Sequence, residues 1–227
     1  MPREHGAWGM LLVPFAIAVA VSGVFDWKMA LLLVSTLLFY IARASWLRRN
    51  WKWMTVLLIA SLAAAAPLFF VWKLWWLAAF STVAAAFAAR PNPRGLAMQV
   101  AAVGGLTLTA PAAWYVATGA LDAAAFWIWL WNTLYFAGGV LYVRLRIARA
   151  GLRWPVLAFY GAVLLFVLAL ALANVVSYRV LLAFAPAATR AAIGVGRLAL
   201  PLRVKRLGWS EVAHSLVFGV LLTFALR

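Results

Sequence analysis

Only six of the 227 residues are carboxylates or imidazoles, and four of these fall into two pairs. Glu4 and His5 are adjacent near the start of the chain; Glu211 and His214 stand three apart near its end. Residues three apart share a helix face, and Glu-x-x-His spacing recurs in bundles that hold two metal ions with carboxylates. If the first and last apolar runs are neighbours, Glu4, His5, Glu211 and His214 form a candidate polar cluster at one membrane surface. The plainer reading is electrostatic: a carboxylate favours a helix N-terminus, and Glu211 follows Lys205 and Arg206. One Glu-x-x-His is too little to carry a metal site or haem, so no metal and no cofactor is expected. Cysteine is absent, which excludes disulfides, thiolate metal sites and iron–sulfur clusters. There is no Gly-rich phosphate loop, no Ser–His–Asp set and no chain of intramembrane acids, so no catalytic residue is identified.

The elements that would position these groups are apolar. Hydrophobic residues make up 68% of the chain and charged ones 11%, with a mean hydropathy of +1.01. A soluble domain is about half apolar and about a quarter charged, so this composition points to a polytopic membrane protein. About 20 apolar residues span the hydrocarbon core. Nine such stretches occur, at roughly 7–25, 29–47, 53–71, 74–89, 96–119, 121–143, 155–176, 179–198 and 210–226. The expectation is an all-α transmembrane bundle of about nine spans, a single domain over 1–227, multi-pass in a bacterial inner (cytoplasmic) membrane. No small-residue cleavage site follows the first stretch, so it is expected to be retained.

The net charge of +16 would suggest nucleic acid in a soluble protein. Here its distribution matters more, and no nucleic-acid partner is expected. With the N-terminus inside, the inner segments carry 15 of the 20 Lys and Arg, and the outer ones four. That asymmetry predicts N-inside and C-outside. The last cation, Arg190, falls within the eighth stretch together with Pro186, so that stretch is either a span or an interfacial helix. The interfacial choice would put Arg197 to Arg206 outside, against the charge rule. Ten of the 14 Trp sit at expected span ends, where the ring suits the membrane boundary. Trp127, Trp129 and Trp131 lie deeper and are expected to pack or face lipid. The 16 Arg against 4 Lys, with few Asn and Gln, fit a thermophile, and GC-rich codon usage gives the same bias.

Polar groups within spans are the default functional candidates. Gln99, Thr107 and Thr109 are expected to serve helix packing. Asn132 and Asn174 are expected as buried polar contacts, to a neighbouring helix or to a ligand. Arg190 needs a carboxylate, carbonyls, water or a lipid headgroup. Arg43, Arg48, Arg49, Arg144, Arg146 and Arg190 are the candidates for an anionic lipid headgroup.

Four segments in order resemble the YwiC-like family of bacterial membrane proteins. They are Pro2-Arg3-Glu4-His5-Gly6-Ala7-Trp8 followed by Pro14, the Arg-rich segment after the second stretch, Tyr135-Phe136-Ala137-Gly138-Gly139 running to Tyr142-Val143-Arg144, and Lys205-Arg206-Leu207-Gly208-Trp209-Ser210-Glu211. The resemblance implies an accessory or assembly role beside an integral membrane respiratory subunit in denitrification, with nitric oxide reductase or nitrate reductase as the leading candidates. The nine-span layout is also similar to the UbiA prenyltransferases, which hold Mg²⁺ and a diphosphate on Asp-rich motifs after spans 2 and 6. Here Arg43, Arg48, Arg49 and Lys52, and then Arg144, Arg146, Arg149 and Arg153, stand in those places with no acid. The alternative expectation is a UbiA-like protein that binds a prenyl, quinone or lipid molecule, or transfers a group without metal. A small-molecule transporter comes third. Membrane lipids are the other expected partner.

Overall fold

The computed structural model describes residues 5–88, 95–148, 151–196, 198 and 204–227. All regular structure among them is helical. The helices are α1 (His5–Ser22), α2 (Trp27–Leu47), α3 (Trp51–Phe70), α4 (Trp76–Ala88), α5 (Leu96–Leu106), α6 (Thr109–Thr118), α7 (Ala123–Ala148), α8 (Arg153–Leu172), α9 (Arg179–Gly196) and α10 (Val204–Leu226). Helices satisfy their own backbone bonds, which is what lipid demands. Seven segments are long and apolar enough to cross a membrane: α2, α3, α5 with α6, and α7 to α10. Trp8–Ser22 within α1 is a shorter apolar helix. The protein is a multi-pass membrane helix bundle.

The start and stop signals are local. Asp26 caps α2 by accepting the Met29 N–H at 3.1 Å, and Asp122 accepts that of Ala125 at 3.1 Å at the start of α7. Two of the four acids are therefore helix caps. The expected stretch 96–119 is broken into α5 and α6 by its own residues. Pro111 lacks the N–H that would reach the Thr107 carbonyl, and Ala110 bonds that carbonyl instead, tightening the turn. The Thr107 hydroxyl donates back to Val103 and lies 2.7 Å from that of Thr133 on α7. Thr109 donates to the Leu11 carbonyl of α1 at 3.0 Å. Both threonines serve packing, as expected.

One expected contact is corrected. Asn174 is not a buried polar residue within a span. Helix α8 ends at Leu172, and Asn174 sits exposed in the following turn at φ 57°. Asn tolerates this left-handed conformation, which commonly closes a helix.

Packing divides into two apolar clusters. One joins α1 to α7, α8, α9 and α10 around Trp131, Phe184 and Phe218. The other gathers Phe15, Met29, Leu68, Leu77 and Ala113 from α1, α2, α3, α4 and α6. Helix α1 runs beside α10, where a Cβ on Gly219 would come within 3.2 Å of Val13. Small residues allow this approach without a hydrophobic driving force between helices. Helix α3 is peripheral: it packs mainly along α2 and joins the second cluster through Leu68. The α2–α3 pair is locked by crossed serines. Ser35 donates to the Ser61 carbonyl at 3.0 Å, and Ser61 to the Ser35 carbonyl at 2.8 Å. The deeper tryptophans also pack. Trp131 is fully buried, Trp127 stacks on it at 5.3 Å, and Trp129 donates to the Gly104 carbonyl.

Candidate amphiphile cavity and its buried ion pair

Between the two clusters lies a cavity of about 1140 Å³. Ligand pockets usually measure about 300–1,000 Å³, so this one is large. Its walls are mostly apolar, from Leu32 and Phe39 on α2, Leu58 and Leu62 on α3, Phe80 on α4, Leu106 on α5, and Phe136 and Val140 on α7. Arg43 and Arg144 line it from the C-terminal portions of α2 and α7. Those two helix ends, with the starts of α3, α8 and α10, form the basic end of the bundle. From Arg43 to Leu32 the lining runs eleven residues along α2, which is about 16 Å at 1.5 Å per residue. Leu62 on α3 and Ser81 and Thr82 on α4 line the cavity and are exposed, so these two helices border its open side. Thr82 can stand there because its hydroxyl donates to its own Ala78 carbonyl.

One wall carries a buried ion pair. Arg190 of α9 is 8% exposed, and its Nη1 lies 2.5 Å from Oε1 of Glu211 on α10. Glu211 itself lines the cavity. Helices α9 and α10 pack side by side, which brings two residues 21 apart in sequence together. The Arg190 guanidinium also lies over the Tyr142 ring, 4.5 Å from its centroid. The guanidinium is thus paired with a carboxylate and stacked on an aromatic face, while its Nε is buried without a partner among the described residues.

Two glycines make room for the aromatic shell. A Cβ on Gly194 would fall 2.5 Å from the Tyr142 ring, and one on Gly138 would fall 2.8 Å from the Tyr160 hydroxyl. Gly139 faces Glu211, where a Cβ would come to 3.4 Å from Oε2. Tyr135, Gly138, Gly139 and Tyr142 occur at i, i+3, i+4 and i+7 and so form one face of α7. These residues were quoted above only for their resemblance; their role around Arg190 was missed, though the helical spacing was in the sequence.

The six arginines expected at a headgroup site separate. Arg43 and Arg144 line the cavity. Arg48 and Arg49 lie in the exposed turn after α2. Arg146 donates to the Gly194 carbonyl at 3.3 Å. Arg190 is committed to Glu211.

Of the expected acid–imidazole cluster, the structure describes only Glu211 and His214 as side chains. Helices α1 and α10 are neighbours, as the cluster requires. Glu211, however, turns to Arg190, and His214 Nδ1 lies 2.7 Å from its own Ser210 carbonyl. Glu4 and the His5 side chain lie outside the described residues. Asn132 is fully buried; its Nδ2 donates to the Ile128 carbonyl at 2.8 Å, while Oδ1 has no partner among the described residues. It bonds its own helix rather than a neighbour.

The Mg²⁺–diphosphate chemistry of UbiA enzymes does not fit this donor set. Hard cations need several oxygen ligands, commonly carboxylates. Glu211 is the only carboxylate among the described lining residues, and it already pairs with Arg190.

Helices, open side and basic end together define an integral membrane bundle built around an amphiphile-sized cavity. The sequence pattern of the YwiC-like protein family matches residues 1–114, and the chain belongs to that family. The chain is similar to the uncharacterized protein YwiC of Bacillus subtilis (strain 168), with 30% identity over 159 residues. That alignment covers 63% of this chain and 65% of the relative, so the chain spans less than two thirds of its length. No solved structure matches the chain. The family match takes in Arg43 and ends in α6, before Arg144, Arg190 and Glu211.

Proposed function

We propose that this protein crosses a bacterial inner membrane nine times, N-terminus inside, and holds a long-tailed anionic amphiphile in its cavity. The observation that carries this reading is the cavity itself: mostly apolar in its walls, extending about 16 Å along α2 from Leu32 to Arg43, with Arg43 and Arg144 lining it from the C-terminal portions of two different helices. An anionic headgroup at the arginines and a hydrocarbon or isoprenoid tail among the leucines and phenylalanines would satisfy both. The orientation follows the 15 inner cations of 20. It puts the basic end at the cytoplasmic leaflet. In this reading Arg43 and Arg144 stand near the ends of spans 2 and 6, close to where the UbiA prenyltransferases, to which the nine-span layout is similar, keep their Asp-rich motifs. Arginine in place of aspartate binds the acid group directly, without a bridging metal. The role is binding; no transfer step is assigned.

Lipid analysis of the tagged protein, purified in mild detergent, tests the reading. One anionic amphiphile enriched well above its share of the membrane supports it. A mixture matching the bulk membrane counts against it.

An accessory role at a nitric oxide or nitrate reductase, implied by the family resemblance, is the second reading. The outward face of α3, with Trp53, Val56 and Ile59 exposed, offers a partner helix a surface. Co-purification from cells grown by denitrification tests it; recovery without any respiratory subunit argues against it.

A further inference from the structure

We infer that the α2–α3 hairpin is a hinged jaw that closes over the acid group of the bound amphiphile, with Arg43 on the jaw and Arg144 on the body it closes against. The inference deepens the binding role proposed above and rests on it. The hairpin joins the rest of the chain through residues 23–26 and 71–75, and both connections lie at the end opposite the arginines. Its free tip, the turn at residues 48–50, lies at the basic end. Packing has the same polarity. Among the described residues, the larger apolar cluster, which ties α1 to α7, α8, α9 and α10, contains none from α2, α3 or α4. The hairpin enters the second cluster instead, through Met29 and Leu32 in the first two turns of α2 and Leu68 near the end of α3. All three stand toward the connected end. Nearer the tip, Tyr40 and Ala42 are buried but belong to neither cluster, and Tyr40 meets Trp8 of α1 in an edge contact at 5.2 Å. The crossed Ser35 and Ser61 bonds hold α2 to α3, so the hairpin moves as one piece.

The cavity lies between jaw and body. Phe39, Arg43 and Leu58 line it from the hairpin, and Phe136, Val140 and Arg144 line it from α7. Hinges are a few residues at element ends that absorb a change in φ and ψ. Gly23 at φ 69° and Lys73 at φ 57° stand in the two connections. Helix α2 has 21 residues and is about 31 Å long, so a rotation of about 6–10° at its start moves its tip by about 3–5 Å. A ligand shifts such an equilibrium only by binding one state better than the other. An acid group held by one arginine leaves the jaw free; one held by both ties jaw to body. An uncharged amphiphile fills the apolar walls without making that bridge.

The chain has no cysteine, so spin labels can be placed at will. Leu47→Cys on the jaw and Ile147→Cys on the body both line the cavity at its basic end and are exposed. Double electron–electron resonance reads their separation in the full chain, in nanodiscs of phosphatidylcholine, with a 1-acyl lysophosphatidic acid or the monoacylglycerol of the same tail added. The acidic lipid should shorten the distance by about 3–5 Å, the travel worked out above for the tip. The neutral lipid should leave it unchanged, and Arg144→Gln should abolish the shortening. A pair at the connected end, Val71→Cys with Leu121→Cys, should not move. An unchanged tip distance, with native mass spectrometry showing the acidic lipid bound, overturns the jaw and leaves the cavity reading standing. Equal shortening by both lipids, or equal movement at both ends, also overturns it. Failure of the acidic lipid to bind overturns jaw and cavity reading together.

Discussion

Replacing Arg190 by methionine leaves the Glu211 carboxylate facing an apolar wall without its partner. Breaking a buried ion pair from one side costs about 3–5 kcal/mol. The structure favours the lower end, because Glu211 is 18% exposed and lines the cavity rather than being fully enclosed. About 3 kcal/mol is a factor of more than 100 in the folded-to-unfolded ratio. Glu211→Gln strands Arg190 instead, with 8% exposure and its Nε without a described partner, so that cost should be the larger of the two. The double variant Arg190→Met/Glu211→Leu removes both charges, and apolar replacement of a buried pair is often neutral or stabilising. It should therefore be more stable than either single variant, with a coupling energy of about 2 kcal/mol or more. Equilibrium unfolding in mixed micelles, followed by the fluorescence of buried Trp131 and its neighbours, reads all four proteins. Additive effects, with coupling near zero, would refute the pair as the element that fixes α9 against α10.

Three further outcomes follow from packing and access. Gly138→Ala drives a methyl into Tyr160 and should cost about 1–3 kcal/mol by the same unfolding assay, whereas Gly139→Ala, whose Cβ would meet Glu211 Oε2 at 3.4 Å, should cost less. Ser35→Ala/Ser61→Ala removes the crossed bonds between α2 and α3 and should destabilise by about 1–2 kcal/mol, with limited proteolysis increasing first in that hairpin. In this cysteine-free chain, Ser81→Cys should react in vesicles with a membrane-soluble maleimide and resist a charged, water-soluble one; equal labelling by both would mean the side bordered by α3 and α4 faces water.

The membrane bundle was legible because each helix carries its signal locally, as a long apolar run with cations and tryptophans at its ends. Boundaries were legible only where the chemistry changes. The run through Val175 and Val176 stays apolar past the end of α8, which hid the turn at Asn174. The break at Thr107 depends on a missing N–H at Pro111, which hydropathy does not register. The site was legible in its residue types and not in its pairings. Glu211 and His214 share a helix face, yet Glu211 is claimed by an arginine 21 residues away and His214 by its own backbone. Arg43 and Arg144 read alike with Arg48, Arg49 and Arg146, because only the fold decides which of them line the cavity. Periodicity reports which face is apolar; it does not report which face meets which.

The central claim is that Arg43 and Arg144 close the cavity over an anionic headgroup. Native mass spectrometry of the protein released from its own membranes tests it most directly, comparing the unaltered chain with Arg43→Gln/Arg144→Gln. One retained amphiphile per chain is expected, acidic in mass and fragmentation, and lost from the double variant while the protein stays folded. The same lipids retained at the same occupancy by both proteins would contradict it.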